Sequence, residues 1–352
     1  MRSALLVIAA IPLLLAACTS SADDSGDPAS NEADQTAAAC APMPACDGAA
    51  GPTLGATKSF DHLSSRVTTS LGDANHRGRD AIYAIGDTQW IIGKFAYGVT
   101  DKDLEDEEVE VWVERGCSGA WEKLGTSRTT DDGAHATVEG VEDSGGRVYF
   151  QIPAGKELAL GRHRVRLVVA GDHTSAELLV DVVPKNAPVL VSDVDGTLTS
   201  SELVEFPAGL IGVQPNAQPD AAKVLTALVA KGYRPIYLTA RAERLTDRTR
   251  EFLKERGFPR GIVHTTTSGL GSFGDAAAQY KSRELALIVG KGLSIKWAFG
   301  NKPSDTDAYD SVNVQPKEHR IFLGVDDAHG GRRIDHYADL LPDAQSAARV
   351  CQ

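Results

Sequence analysis

Two folded units are predicted: an all-β sandwich of immunoglobulin type over residues 57–185, and an α/β domain with a parallel sheet and helices on both faces over residues 186–352. Three observations carry this. Between residues 82 and 183 apolar residues alternate or cluster in about seven short runs, separated by turns such as Asp131-Asp132-Gly133 and Asp143-Ser144-Gly145-Gly146. At Asn186-Ala187-Pro188 the texture changes to apolar strands alternating with helical periodicity, the pattern of a sheet covered on both sides. The chain has 352 residues, 42% of them hydrophobic, which is enough for two cores and excludes disorder over the whole length.

Ahead of both units, Arg2 is followed by an apolar stretch over residues 4–17, shorter than the ~20 residues of a membrane-spanning helix and suited to an export signal. It ends in Leu15-Ala16-Ala17-Cys18, which resembles the lipobox of bacterial lipoproteins, where the signal is cut before an acylated cysteine. By that resemblance residues 1–17 are a signal peptide and Cys18 carries the lipid anchor, placing the protein on the periplasmic or outer side of a bacterial membrane. The alternative is an ordinary cut after Ala17 that leaves Cys18 a free thiol. Residues 18–56 are rich in Ser, Ala, Asp, Gly and Pro and are expected to form a disordered tether. An exported chain meets oxidising conditions, so Cys40, Cys46, Cys117 and Cys351 are disulfide candidates in any of three pairings. No second Cys/His pair stands at zinc-finger spacing.

In the β region the candidate strands are 82–85, 90–97, 109–113, 136–138, 148–152, 165–169 and 178–183. His135, His163 and His173 are isolated and read as packing or surface residues. In the α/β region the candidate strands are 189–191, 235–238, 262–264, 295–299 and 320–325. A helix over 220–230 carries Val224, Leu225, Leu228 and Val229 and ends at Gly232; a second, over 243–256, carries Leu245, Phe252 and Leu253 and stops at Gly257. A closing helix is expected near the end, over 337–350.

In parallel α/β sheets ligands bind beyond the carboxyl ends of the strands. The first strand is followed by Ser192-Asp193-Val194-Asp195-Gly196-Thr197-Leu198-Thr199, two carboxylates two residues apart ahead of a turn glycine. One could attack phosphorus, the other move a proton, and both could hold a hard divalent cation. The second strand gives Thr239-Ala240-Arg241, a hydroxyl and a guanidinium suited to phosphate oxygens. The fourth gives Gly300-Asn301-Lys302-Pro303-Ser304-Asp305, with Asn301 and Asp305 offering oxygens to Mg²⁺, and Lys281 ahead of it could neutralise phosphate charge.

These residues resemble the haloacid dehalogenase superfamily, with its Asp-x-Asp-x-Thr first motif. The resemblance implies a Rossmann-like fold with Asp193 as nucleophile, Asp195 as acid/base, Thr197, Thr239, Arg241 and Lys281 around the phosphate, and Asp193, Asp195, Asn301 and Asp305 at Mg²⁺. A closer likeness is carried by Tyr237-Leu238-Thr239-Ala240-Arg241-Ala242, by Thr246-Asp247-Arg248-Thr249-Arg250-Glu251-Phe252-Leu253 and by Ala298-Phe299-Gly300-Asn301-Lys302-Pro303-Ser304-Asp305-Thr306-Asp307-Ala308-Tyr309. Over residues 188–325 the chain is similar to the LNS2 domain, shared by lipins, the Mg²⁺-dependent phosphatidate phosphatases, and by phosphatidylinositol-transfer proteins. An immunoglobulin-like domain ahead of it is also similar to the lipin arrangement.

The expectation is therefore a membrane-anchored, Mg²⁺-dependent phosphatidate phosphatase working through an aspartyl-phosphate. A module that binds phosphatidate without turnover, and a phosphatase for soluble phosphomonoesters, are the alternatives. Nucleic acid is excluded as a partner by a formal charge of −12 without a concentrated Lys/Arg run. Gly269-Leu270-Gly271-Ser272-Phe273-Gly274 satisfies a dinucleotide-binding pattern, but no carboxylate lies in residues 290–295, where the ribose partner belongs. It reads instead as a flexible loop near the mouth of the site. His264 and the threonines after it read as packing and turn residues.

Overall fold

The computed structural model describes residues 40, 43–48, 50–200 and 214–351. The export signal over residues 1–17 and Cys18 lie outside the described residues.

The first domain is a β-sandwich. Its ten strands are β1 (Arg77–Arg79), β2 (Ala81–Ala84), β3 (Trp90–Lys94), β4 (Ala96–Tyr97), β5 (Lys102–Asp103), β6 (Glu108–Glu114), β7 (Trp121–Arg128), β8 (Arg147–Gln151), β9 (Gly161–Val169) and β10 (Ser175–Val183), preceded by helix α1 (Leu63–Thr69). One face is the sheet β1-β3-β8, the other the sheet β2-β10-β9-β6-β7, and β4 pairs with β5 in a separate two-stranded ribbon. Alternation explains the packing of β6: Val109, Val111 and Val113 point inward and are wholly buried, while Glu108, Glu110 and Trp112 are half-buried on the other face. They meet Phe95, Val148, Val165 and Leu167 in one core.

Two expectations for this domain are corrected. Residues 136–138 form no strand; Val138 makes only a bridge to Val141, because the apolar run is too short to pair further. The run over 90–97 breaks at Phe95, whose N–H turns to the Gly146 carbonyl (2.7 Å). Strand β7 carries one fully buried apolar side chain, Leu124, and is held by its backbone ladder to β6, so apolar patterning does not reveal it.

The second domain is built on a six-stranded, wholly parallel sheet in the order β13-β12-β11-β14-β15-β16. Its strands are β11 (Pro188–Ser192), β12 (Arg234–Leu238), β13 (Ile262–His264), β14 (Ser294–Gly300), β15 (Arg320–Leu323) and β16 (Arg332–Ile334). Val189 and Val191 of β11 join one core with Ile236, Leu285, Ile288 and Tyr309, under α4 (Gly274–Gly290) and α5 (Pro303–Ser311). Leu190, one residue out of phase, joins the opposite core with Val224, Leu225, Leu228, Phe252 and Phe299, under α2 (Ala221–Ala230) and α3 (Thr246–Glu255). At ~1.5–3 kcal/mol for each large apolar side chain, these two layers supply the main stabilisation. The expected helix over 243–256 starts as a 3₁₀ turn, Glu243–Leu245, and the closing segment is a 3₁₀ turn, Tyr337–Leu340, followed by the short α6 (Leu341–Ser346). Strand β15 stops at Leu323 rather than 325, and β16 is an edge strand with one buried residue, Ile334.

Chain order makes β11 the switch point: the sheet grows outward through β12 and β13, then resumes on the other side with β14. The crevice beyond the end of β11 is where such a sheet leaves room for a ligand.

Two disulfides, Cys40–Cys351 and Cys46–Cys117, close the termini onto the folded body. This corrects the tether expected over 18–56 in its described part, since Cys46 is buried and the carbonyls of Gly48 and Ala50 accept hydrogen bonds from Arg164 and Trp121. The two domains share buried charge. Arg79 of β1 donates to Glu284 of α4 (2.6 Å), Arg147 of β8 to Glu243 (2.7 Å), and Arg250 of α3 to Asp80 (2.7 Å).

Candidate functional site

The site begins with the turn after β11. Gly196 sits at φ +77°, so the chain doubles back and sets the two aspartates side by side. Asp193 is almost fully buried; its N–H donates to the Phe299 carbonyl (3.0 Å), tying it to the end of β14. Thr197 is wholly buried and its hydroxyl lies 3.1 Å from Asp193 Oδ2 and 2.9 Å from Asn301 Oδ1. Tyr337 donates to the Thr197 carbonyl (3.0 Å), bracing the turn from below.

Lys281, from α4, donates to Asp193 Oδ1 (2.8 Å) and to Asp305 Oδ1 (2.6 Å). The other oxygen of Asp305 accepts the N–H groups of Asn301 (3.0 Å) and Lys302 (3.1 Å) at the start of α5. Gly300 is required here, because a Cβ would lie 2.4 Å from that of Asp305. Burial pushes the Asp193 carboxyl up to about 6, more than Lys281 lowers it, and Asp305 and Asp195 add to the rise. Burial alone would lower the Lys281 ammonium, but Asp193 and Asp305 together hold it above its ordinary range.

Asp195 meets the second strand end. Arg241 donates to it from Nε (2.9 Å to Oδ2) and Nη2 (2.8 Å to Oδ1), and the Thr239 hydroxyl donates to Oδ2 (3.1 Å). The guanidinium is itself aimed by its remaining nitrogen, which donates to Thr249 of α3 (2.9 Å). The 3₁₀ turn that follows is fastened to the sandwich: Glu243 accepts from Arg147 (2.7 and 3.0 Å), which keeps its carboxyl below the ordinary value against the opposing effect of burial.

Above this floor opens a cleft of about 560 Å³. The structure brings all eight residues expected at the site to the end of the sheet in two hydrogen-bonded groups, Asp193 with Thr197, Lys281, Asn301 and Asp305, and Asp195 with Thr239 and Arg241, and in two tiers. Asp193, Asp195, Arg241 and Lys281 line the cleft, whereas Thr197, Thr239, Asn301 and Asp305 stand behind them. Sequence reasoning placed the loop 269–274 near the mouth but missed that Leu270 and Phe273 are displayed there, and missed Arg244, Leu245, Lys302, Ser304 and Asp307 on the rim. Their position after β12, β13 and β14 was the available signal. The glycine-rich loop 269–274 does border the cleft mouth. His264 is a structural residue, with Nδ1 2.7 Å from Glu284 and Nε2 2.8 Å from the Asp80 carbonyl.

As a metal centre the cluster offers few oxygens. Among the described residues no three His, Cys, Asp or Glu side chains are grouped to hold an ion. Asp305, expected beside Mg²⁺, commits both oxygens to Lys281 and two backbone amides. Asp193 Oδ2 and Asn301 Oδ1 converge on the Thr197 hydroxyl, and this pair fits a hard cation that keeps most of its own waters.

With the geometry in place, comparison with known proteins gives a consistent picture. Residues 190–323 match the family described as PITM 1-3, LNS2 domain, and residues 74–182 that described as PITM 1-3, beta-sandwich domain. The chain is 29% identical over 252 residues to Membrane-associated phosphatidylinositol transfer protein 1 of Homo sapiens, covering 70% of this chain and 18% of that one. It is 29% identical over 289 residues to Protein retinal degeneration B of Drosophila melanogaster, covering 81% and 21%. It is 30% identical over 192 residues to Membrane-associated phosphatidylinositol transfer protein 3 of Homo sapiens, covering 54% and 18%. The chain thus spans about a fifth of the length of these relatives.

The likeness to LNS2 stands, and with it an amino-terminal β-sandwich followed by an α/β domain. The expectation of a phosphomonoester hydrolase is corrected: the relatives are named phosphatidylinositol transfer proteins, lipid carriers rather than phosphatases. The geometry offers a physical reason. Asp195, the expected proton carrier, accepts on both oxygens from Arg241 and Thr239, which anchors it as an acceptor. Among the described residues no helix is long and apolar enough to cross a membrane.

Proposed function

We propose that the cleft at the end of β11 is a binding site for a phospholipid that carries an exposed phosphate, phosphatidate above all, and that the chain acts as a membrane-associated lipid-binding module. The observation that carries this reading is the placement of Arg241 and Lys281, two buried cations, at the floor of an open cleft at the carboxyl end of a parallel sheet. The matched families and the names of the relatives support a lipid ligand.

The floor holds three carboxylates, Asp193, Asp195 and Asp305, against two cations. A phosphate entering it needs compensation, by release of Arg241 from Asp195, by a proton on Asp193, or by a cation. Mg²⁺ bound at Asp193 and Asn301 would supply positive charge to the phosphate oxygens. Arg241 then orients the phosphate through its forked N–H groups, and Lys281 holds Asp193 and Asp305 in place from behind. In the same reading the α/β domain is of haloacid dehalogenase type with its acid pair turned to recognition, and acylated Cys18 keeps the protein on a bacterial membrane.

The test is flotation with phosphatidylcholine vesicles containing phosphatidate, phosphatidylinositol or neither, with protein carrying Cys18→Ser, so that no acyl anchor contributes, and with the same protein carrying Arg241→Ala as well. Selective recovery with phosphatidate that drops at least tenfold in the variant is expected. Equal recovery with all three vesicle types would end the proposal.

A further inference from the structure

Among the described residues of the α/β domain the two most exposed large apolar ones, Leu270 (82% exposed) and Phe273 (67%), stand three positions apart in the loop between β13 and α4. A single exposed apolar side chain is ordinary; a pair at the mouth of a ligand cleft is not. Both line the cleft that holds Arg241 and Lys281. Their backbone is fixed. Ser272 N–H donates to the Ala240 carbonyl (2.9 Å) and Arg244 Nε to the Gly269 carbonyl (3.1 Å), while Gly271, at φ +81°, lies so close to the strand end that a Cβ would stand 2.8 Å from the Ala240 oxygen. The loop therefore presents its two apolar side chains from a clamped base.

We infer that Leu270 and Phe273 form a wedge that enters the acyl boundary of a bilayer and seats the cleft over a phospholipid headgroup. Continuity with the phosphate-binding floor selects a membrane as the occupant, because a lipid taken from a bilayer must cross this rim. Charge alone would not bring the chain to such a surface. At −12 the chain is repelled by an anionic surface, so docking needs apolar insertion at one place, with Arg244 beside the loop to meet phosphates. This inference rests on the phosphate-binding reading of the cleft.

The test uses the full chain carrying Cys18→Ser, so that no acyl anchor contributes, with and without Leu270→Ser and Phe273→Ser together. Two quantities are measured: partitioning onto phosphatidylcholine vesicles containing phosphatidate, and calorimetric binding of dihexanoyl phosphatidate below its micelle concentration. Loss of about a hundredfold in partitioning is expected, since each buried Leu or Phe side chain accounts for about a decade, with a much smaller loss, of no more than severalfold, in binding of the short-chain lipid. Unchanged partitioning would overturn the wedge and leave the cleft reading intact. A loss of short-chain binding as large as the loss in partitioning would also overturn it, by placing the whole effect in the cleft. Apolar-dependent partitioning without any short-chain binding by the unsubstituted loop would keep the wedge and sink the phosphate reading.

Discussion

Replacing Asp195 by Asn should strengthen the binding of an anionic phospholipid, a result that the acid pair read as a catalyst would not suggest. In the structure both oxygens of Asp195 accept from Arg241, at 2.8 to 3.1 Å, and its side chain is only 19% exposed. A phosphate oxygen that takes those donors must displace a charged acceptor. Hydrogen bonds to charged groups contribute about 1.5 to 3 kcal/mol, and partial exposure discounts the upper end. Removing the charge while keeping the shape should therefore release about 1.5 kcal/mol toward the ligand, or about tenfold in Kd. The assay is calorimetric titration of Asp195→Asn with dihexanoyl phosphatidate, beside Arg241→Ala and the double variant. The gain should shrink in the double variant, because the guanidinium that Asp195 restrains is then missing. Unchanged or weaker binding in Asp195→Asn would refute the argument that Arg241 is the phosphate donor held in reserve.

Gly271→Ala should loosen the loop at the cleft mouth and cut vesicle binding several-fold, because its Cβ would meet the Ala240 oxygen at 2.8 Å in a left-handed backbone; faster amide exchange in residues 269–274 checks it. Glu284 is held down to about 2 by Arg79 and His264 against burial, so the stability it contributes is present above its ordinary value of 4.5 and is lost as pH falls from there toward 2, about 3 kcal/mol in all. His76, lowered to about 4 chiefly by burial, adds a loss between pH 6.5 and 4, since only the unfolded chain takes the proton there; urea midpoints from pH 7 to 3 should fall, and less steeply below pH 4.5 in Glu284→Gln. Breaking Cys46–Cys117, which closes a separation of 71 residues, should destabilise the protein by about 4 kcal/mol on the chain-entropy estimate, read as a fall in Tm of the Cys46→Ala, Cys117→Ala variant. Mg²⁺ should bind wild-type protein and bind more weakly to Asp193→Asn by calorimetry; equal heats would remove Asp193 from the cation site.

Much of the site was legible because its residues follow strands. In a parallel sheet the segments after β11, β12 and β14 must converge at one edge, so Asp193, Thr239 and Asn301 could be grouped without coordinates. Lys281 was found from its order ahead of β14. What stayed hidden was the direction of each side chain. Thr197 and Thr239 looked like phosphate ligands but face backward to brace the aspartates, a difference set by χ angles rather than by spacing. The display of the apolar pair on the rim was hidden for another reason. Leu270 and Phe273 lie in a segment without periodicity, and only the clamp of Ser272 on Ala240 shows that they are displayed. In the sandwich, β7 escaped notice because its place is fixed by backbone pairing.

In the proposed reading the pair of aspartates marks where a phosphate would sit, and the partners of those aspartates bear on what would happen to it. A group that transfers a proton has to exchange it with the ligand, so its oxygens must be able to turn to the ligand. Here the Arg241 fork grips both oxygens of Asp195, and Arg241 is anchored in turn on Thr249, so turning Asp195 would break a charged network buried against α3. The ion pair nonetheless remains useful to a binder. With the cleft empty it neutralises Arg241, so the buried guanidinium is not left unpaired; when a phosphate arrives, the same guanidinium can share its donors with the new oxygens. Affinity is then set by a difference between two acceptors. A reversible binder works best with a modest difference of this kind, and Asp195 is the residue that would keep it modest.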